Sequence, residues 1–287
     1  VEEPRLMADS PLDAVDRPAA PLAVAQTALE LAVAGERLRL EVQIPAGPTP
    51  RAALLPLYRT ITEFIVEAGV KAAESRGERV SCCQGCGACC RQLVPISQLE
   101  ARELAELVSE LPEPGRSLVV GRFEEARQRL AEAGLLERLA HPERFSDEEL
   151  RPLGLEYFRL SIACPLLEEE SCSIHPDRPL ACREYLVTSP AAHCGHPEEN
   201  EVRGVPLPLA VSSAVCRMDV QPGERFTRWV PLVLALSWSQ EHPEEPPPRS
   251  GPELVDEFWR QLTQPPAGGR SQEPGDRSQG TLGDAQA

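Results

Sequence analysis

SCCQGCGACCR, residues 81–91, places five of the chain's ten cysteines within nine positions. Cys83, Cys86 and Cys89 read C-x2-C-x2-C, and Cys90 follows directly. A C-x2-C loop folds back so that both sulfurs face one cation. Gly85 and Gly87 give the backbone the freedom that such a turn needs. A third sulfur at the same interval is the spacing of an iron–sulfur cluster anchored on one loop. Neighbouring side chains diverge, so Cys89 and Cys90 point to two metal centres or to one multinuclear centre. Cys82 competes with Cys83 for the place of first ligand.

Further along, ACPLLEEESCSIHPDRPLACREY (163–185) and AAHCGH (191–196) add Cys164, Cys172, Cys182 and Cys194. Two closed tetrahedral zinc sites would use eight thiolates. A four-iron cluster would use four and leave the rest for a second ion. The expected metal ligands are Cys83, Cys86, Cys89, Cys90, Cys164, Cys172, Cys182 and Cys194. The cofactor is zinc or iron, the iron as an ion or an iron–sulfur cluster, because thiolates suit either metal. Cys216, in SSAVCRMDV, reads as buried filler. His175, His193 and His196 flank the second region and are read as surface residues rather than ligands. Arg178 and Arg183 are expected to steady the thiolates through charge-assisted hydrogen bonds.

The length of 287 residues suits one large domain or two small ones, and a hydrophobic fraction of 41% supports a core. The formal net charge is −16. Such a surface repels phosphate backbones and anionic lipid, so neither nucleic acid nor membrane is expected as a partner. A metal ion is the expected ligand, and a basic protein partner is compatible. The longest apolar run, WVPLVLALSW (229–238), is too short to span a bilayer. With no basic-then-apolar opening, a cytoplasmic location is expected, where thiols stay reduced and cysteines serve metals before disulfides.

Around the cysteines the fold class reads as mainly α (α+β). An irregular, metal-stapled, cysteine-rich core would carry amphipathic helices and a small N-terminal β-hairpin. Residues 1–20 and 264–287 read as disordered tails. Residues 21–79 read as hairpin and helix. Leu38, Leu40, Val42 and Ile44 alternate with Arg37, Arg39, Glu41 and Gln43, and Gly35-Glu36 is the expected turn. Leu57, Ile61, Phe64, Ile65 and Ala68 recur at helical spacing towards a stop near Gly77. Residues 80–200 form the cysteine core with a helical insertion. Ser97 and Glu100 form a capping signature, 117–140 reads as one amphipathic helix, and Ser146 caps another that Pro152 kinks or divides. Residues 201–263 form a C-terminal helical extension. A buried helix is expected at 225–240, a linker at 242–249 and an amphipathic helix at 252–262.

CQGCGACCR from Cys83, CPLL from Cys164 and CSIHPDRPLACR from Cys172 together resemble the YkgJ-type cysteine-cluster family. The resemblance covers about residues 80–200 and implies zinc or iron chelation. The cysteine pattern is also similar to that of flagellin lysine N-methylases. That similarity implies an alternative, an iron–sulfur-dependent protein-modifying enzyme. A third reading is an adaptor whose metal only staples a helical interaction domain. Whether the chain is an enzyme is left open, and no catalytic residue is assigned. It has no G-x-S-x-G, Walker loop or H-E-x-x-H. Cys82, Cys86 and Cys89 also spell the C-x3-C-x2-C of radical SAM enzymes, but the helices that follow do not alternate with strands.

Overall fold

The computed structural model describes residues 23–145, 147–220, 228–244 and 246–264. The residues expected as tails lie outside these ranges, apart from Gln264. The fold is mainly α with small antiparallel strand pairs.

The chain opens with a hairpin of β1 (Val24–Val33) and β2 (Glu36–Pro45), in which Leu31 pairs with Leu38 and Leu29 with Leu40. The two-residue turn is Ala34-Gly35, at φ 50° and 87°, one residue earlier than the expected Gly35-Glu36. Two left-handed residues in a row match the twist of the flanking strands, and Gly35 takes one of them without strain. After β3 (Pro48–Thr49), helix α1 runs Leu55–Ser75. It stops where expected: Gly77 (φ 79°) turns left-handed, its N–H bonds to Glu74 O and that of Glu78 to Ala73 O.

Next come β4 (Pro95–Ile96), α2 (Gln98–Glu110), α3 (Gly115–Glu132), α4 (Leu136–Ala140) and α5 (Asp147–Arg159). The single helix expected over 117–140 is broken. Gly134 (φ 70°) closes α3, with Gly134 N–H bonded to Ala131 O and Leu135 N–H to Leu130 O. Pro152 lies inside α5 without dividing it. Its missing N–H removes one intrahelical hydrogen bond, and the helix continues past it. Ser146, the expected cap, lies outside the described residues.

The remaining elements are β5 (Leu167–Glu168), β6 (Ser171–Cys172), α6 (Leu180–Glu184), α7 (Val211–Arg217), β7 (Val230–Pro231), α8 (Ala235–Glu241), β8 (Arg249–Ser250) and α9 (Gly251–Thr263). The helix expected over 225–240 is confined to α8. Pro231 biases Val230 to an extended conformation, and β7 pairs with β4. Likewise β8 pairs with β3, so the C-terminal segment is tied to the N-terminal one in sequence-distant pairs. Among the described residues every strand pair is antiparallel and two-stranded, which is not the repeating βα barrel of radical SAM enzymes.

Three apolar clusters hold these pieces. The first joins the hairpin (Leu31, Val33, Ile44) to α1, α7 and α9, and Leu99 and Leu180 reach into it from the cysteine region. Tyr58 and Phe258 sit at its centre with ring centroids 4.4 Å apart. Burying each of these rings contributes roughly 1.5–3 kcal/mol. The second cluster gathers α2, the start of α3 and α8 with Leu166 and Ile174, and the side chains of Cys164, Cys172 and Cys182 pack against it. The third joins the end of α3 to α4, α5, Val233 and Leu234. The second cysteine segment therefore rests on the helical insertion rather than projecting from it.

Candidate metal centre

The two cysteine regions meet. Cys164 N–H donates to Cys90 O at 2.7 Å, although the segment carrying α2 to α5 separates them in sequence. The short helical turn 88–91 lies against the turn 191–195 that carries Cys194. All ten cysteines are free thiols.

The first loop is shaped by two glycines. Gly85 adopts φ 83°. Gly87 admits a close approach: a Cβ there would lie 2.4 Å from Glu170 Oε2 and 3.2 Å from Glu170 Cα. Glu170 occupies the tight turn between β5 and β6, where it and Glu169 both have left-handed backbones (φ 58° and 47°). Its carboxylate receives a fork from Arg91, Nη2 to Oε1 at 2.6 Å and Nη1 to Oε2 at 2.9 Å, and Arg91 Nη1 also donates to Gly87 O. One charge pair thus clamps the first cysteine loop onto the hairpin that presents Cys172.

The other anchors come from the same logic. Ser81 N–H donates to Val187 O at 3.0 Å, and Val187 N–H returns a bond to Cys82 Sγ at 3.4 Å. Glu100, buried, completes the expected capping box on α2, accepting from Ser97 N–H at 3.0 Å, and its other oxygen accepts from Leu180 N–H at 2.7 Å. The carboxylate that starts α2 therefore also starts α6, the helix carrying Cys182. The sequence shows the cap but not its second partner, which lies 80 residues away.

Each sulfur has identifiable neighbours. The thiol charges acting on Cys194 are those of Cys82, Cys89 and Cys86. Those acting on Cys90, beyond its neighbour Cys89, are Cys164 and Cys182. Cys182 in turn faces Cys164, Cys172 and Cys89, and Cys89 also acts on Cys164 and Cys172. Burial pushes the Cys164 thiol up to about 12 and that of Cys182 higher still. Cys89 moves the other way, to about 7, because the Cys90 S–H bonds to it, with Arg178 adding a smaller attraction. Cys83 is exposed, whereas Cys82 is half-buried. Cys216, buried in α7, has the acids Glu100, Asp219 and Glu184 as its charged neighbours and faces none of the other cysteines, as expected of filler.

Arg178 and Arg183 divide. Arg183 is buried and fully used elsewhere: it donates to Glu63 Oε1 at 2.9 Å, to Arg178 O at 3.0 Å and to Pro176 O. It braces the 175–178 turn and gives no hydrogen bond to sulfur, contrary to expectation. Arg178 is the cation that faces Cys89 and Cys172, and its buried Nε has no hydrogen-bond partner. His175 is exposed and is held below the usual imidazole range by Arg178. The ring Nδ1 of His193 lies 3.1 Å from Glu201 O, a geometry that makes Nδ1 the donor.

The donor chemistry fits a thiophilic cation. Crowded, partly buried thiols, a backbone N–H on one sulfur and a guanidinium beside two others are what a thiolate centre uses. The sulfurs are drawn near but not closed: among the described residues no three His, Cys, Asp or Glu side chains are arranged to hold one ion.

Residues 82–203 match the family model CxxCxxCC, described as "Putative zinc- or iron-chelating domain". This segment is the cysteine cluster whose motifs suggested the same family, and the match covers both cysteine regions and the helices between them. Nothing among curated proteins and nothing among solved structures matches the chain. No helix among the described residues is long and apolar enough to cross a membrane.

Proposed function

We propose that this chain is a thiolate metal-binding protein whose cysteine segment holds zinc or iron and is fixed in shape by it. The observation that supports this most directly is the joining of Cys90 to Cys164 through the backbone, which brings the two cysteine regions to one place. The donors are drawn from the cysteines between 82 and 194: Cys86, Cys89, Cys90, Cys164, Cys172, Cys182 and Cys194, with Cys82 or Cys83 as the first. Bound there, the cation would neutralise thiolates that otherwise repel one another and stay protonated through burial. The residues that position these sulfurs are Arg91 with Glu170, Glu100, and Arg178.

Elemental analysis and a visible spectrum of protein purified without oxygen test the reading. Stoichiometric zinc with no visible absorption, or iron with or without sulfide, is the expected result. Folded protein that holds no metal and takes none up would overturn it. The spectrum also separates the chelating domain from an iron–sulfur-dependent protein-modifying enzyme, which requires cluster absorption and an open coordination position.

A further inference from the structure

We infer that the outer edge of β1 is an interface for a second copy of this chain: the two β1 strands pair antiparallel about a two-fold axis at Ala28 and join their hairpins into one continuous sheet.

Among the described residues the hairpin is a sheet of two strands only, so each strand has one bare edge. Val33 and Glu36 flank the two-residue turn and pair. Such a closing pair exchanges both of its backbone hydrogen bonds. Ala46 N–H donates to Ala23 O at 2.7 Å in the same phase. The N–H and C=O groups of Val24, Gln26, Ala28, Glu30 and Ala32 therefore point away from β2. These residues are exposed, and among the described residues no hydrogen bond uses their outward backbone groups. A bare edge of this length is a template for another strand.

The two edges differ in what they admit. Native edges ordinarily carry charges, prolines or bulges that keep other strands away. β2 has such protection. Arg37, Arg39 and Glu41 stand on its exposed side, and at its end Pro45 O accepts from Thr49 Oγ1 at 3.3 Å with Gly251 close against it. β1, VAQTALELAV, has no proline, no glycine and a single charge, Glu30.

The edge is complementary to itself. With Ala28 at the axis, Gln26 of one copy lies opposite Glu30 of the other, and Val24 lies opposite Ala32. Every outward N–H then meets an outward C=O. The Gln26 amide can donate to the Glu30 carboxylate, the two alanines leave the axis free of bulk, and no like charges meet. On the core side Leu29 lies opposite Thr27 and Leu31 opposite Ala25. Ala25 and Leu29 are only partly buried within one copy, so pairing covers them further. The chain's own flanking sequences suit this edge poorly. Residues 1–22 carry Pro4, Pro11, Pro18 and Pro21, and 265–287 is interrupted by prolines and glycines, which break a ladder.

The experiment is sedimentation velocity on the full chain over a wide concentration range, under reducing conditions that exclude intermolecular disulfides. Wild type should approach twice the mass of one chain. A28K sets two ammonium groups at the axis and should stay monomeric. Q26E sets Glu against Glu at two symmetry-related places and should weaken dimerisation roughly three- to tenfold. Q26E/E30Q restores the complement with its members exchanged and should recover wild-type dimerisation. These side chains are exposed, so circular dichroism should be unchanged in each variant. Should A28K misfold, Q26E and the exchanged pair still decide. Hydrogen exchange at 24–32 should slow as wild type is concentrated. A wild type that stays monomeric, or a dimer indifferent to A28K and Q26E, would overturn the inference. So would a monomer whose 24–32 amides are already protected, since the chain would then cover its own edge.

Discussion

At the residue scale, the site depends on small groups at places where the chain approaches itself. Replacing Gly87 by Ala would put a methyl group against the Glu170 carboxylate and its Cα. The side chain can swing away, but the backbone contact and the Arg91 fork cannot both survive. The expected cost is roughly 1–3 kcal/mol, the range for overpacking. Glu170→Ala removes the nearer clash, so the Gly87→Ala cost should shrink in that background. A double-mutant cycle by denaturant unfolding reads this coupling, and additive costs would show that Gly87 and Glu170 act independently. Asp219 offers a test of sign. Arg51 Nη1 pairs with it at 2.7 Å and Gln98 N–H donates at 3.1 Å, yet burial outweighs both, and Arg102 nearby, and lifts its pKa to about 6. The folded chain therefore keeps a proton that the unfolded chain has released between its ordinary value near 3.8 and about 6. Stability contributed by this residue should fall as pH rises through that window, and the deficit should stay constant above it. The shift corresponds to a change on the order of 2–3 kcal/mol. Unfolding of wild type and Asp219→Asn across pH 4–7 checks it: the wild-type advantage should decline with pH, whereas a pair governed by attraction to Arg51 would show it rising.

At the element scale, helix starts serve as clips between distant segments. Glu184 accepts from the N–H groups of Val211 and Ser212 at the head of α7, and Glu100 joins α2 to α6. Glu100→Ala should therefore do more than uncap α2. It leaves Leu180 N–H buried without a partner, and the expected loss is about 2–4 kcal/mol, the sum of a cap and an unmet donor. Ser97→Ala, which touches only the cap, should cost about 1 kcal/mol. Equal costs in chemical denaturation would mean that the tie to α6 carries nothing. These clips mark the boundary of what the sequence can tell. The hairpin, the Gly77 stop, the Ser97 cap and the apolar side of α9 are local patterns, and each is legible from spacing alone. The break at Gly134 is legible only in part, because glycine within a helical pattern is tolerated as often as it terminates. Within 225–240 a continuous apolar run suggests one buried helix, whereas Pro231 and the pairing of β7 with β4 confine the helix to α8. In the site, the crowding of cysteines is plain, and so is the isolation of Cys216. An arginine beside a cysteine is a local pattern, while the partner that Arg183 takes, Glu63, lies 120 residues away. The bond from Val187 N–H to Cys82 Sγ spans 105 residues, and no local pattern contains it.

At the scale of the whole molecule, a bound metal and apolar packing would hold different parts, and this predicts an order of loosening. The hairpin, α1, α7 and α9 share a cluster built from large apolar side chains, and no cysteine side chain belongs to it. The segment 163–196 contributes Leu166, Ile174 and Leu180 to the apolar clusters, and much of the rest is turns, short strands and cysteines. Its fixed shape depends on anchors at its edges: Cys90 O, the Arg91–Glu170 fork, and Glu100. The fork is partly exposed on both sides, so solvent screens it and it contributes little. Removing the cation returns mutually repelling or protonated thiols to this segment, and the remaining anchors are too weak to hold every turn in place. Chelation should therefore raise hydrogen exchange at 163–196 and in the 81–91 loop first. Protection in α1 and α9 should persist, because they bury their own apolar faces against the hairpin. The helices α2 and α3 should respond in between, since the floor of their cluster is partly sulfur. Cys182→Ser should reproduce the local loosening, as a neutral hydroxyl is a poor substitute for a thiolate. Cys216→Ser should keep its metal and lose only the 1–3 kcal/mol or so of a buried polar swap without a partner. Hydrogen exchange with and without chelator, run beside metal content of both variants, is the measurement. Protection at 163–196 that is unchanged after complete metal loss would show that packing alone shapes the site. Simultaneous loss in α9 would show instead that the first cluster depends on the metal too.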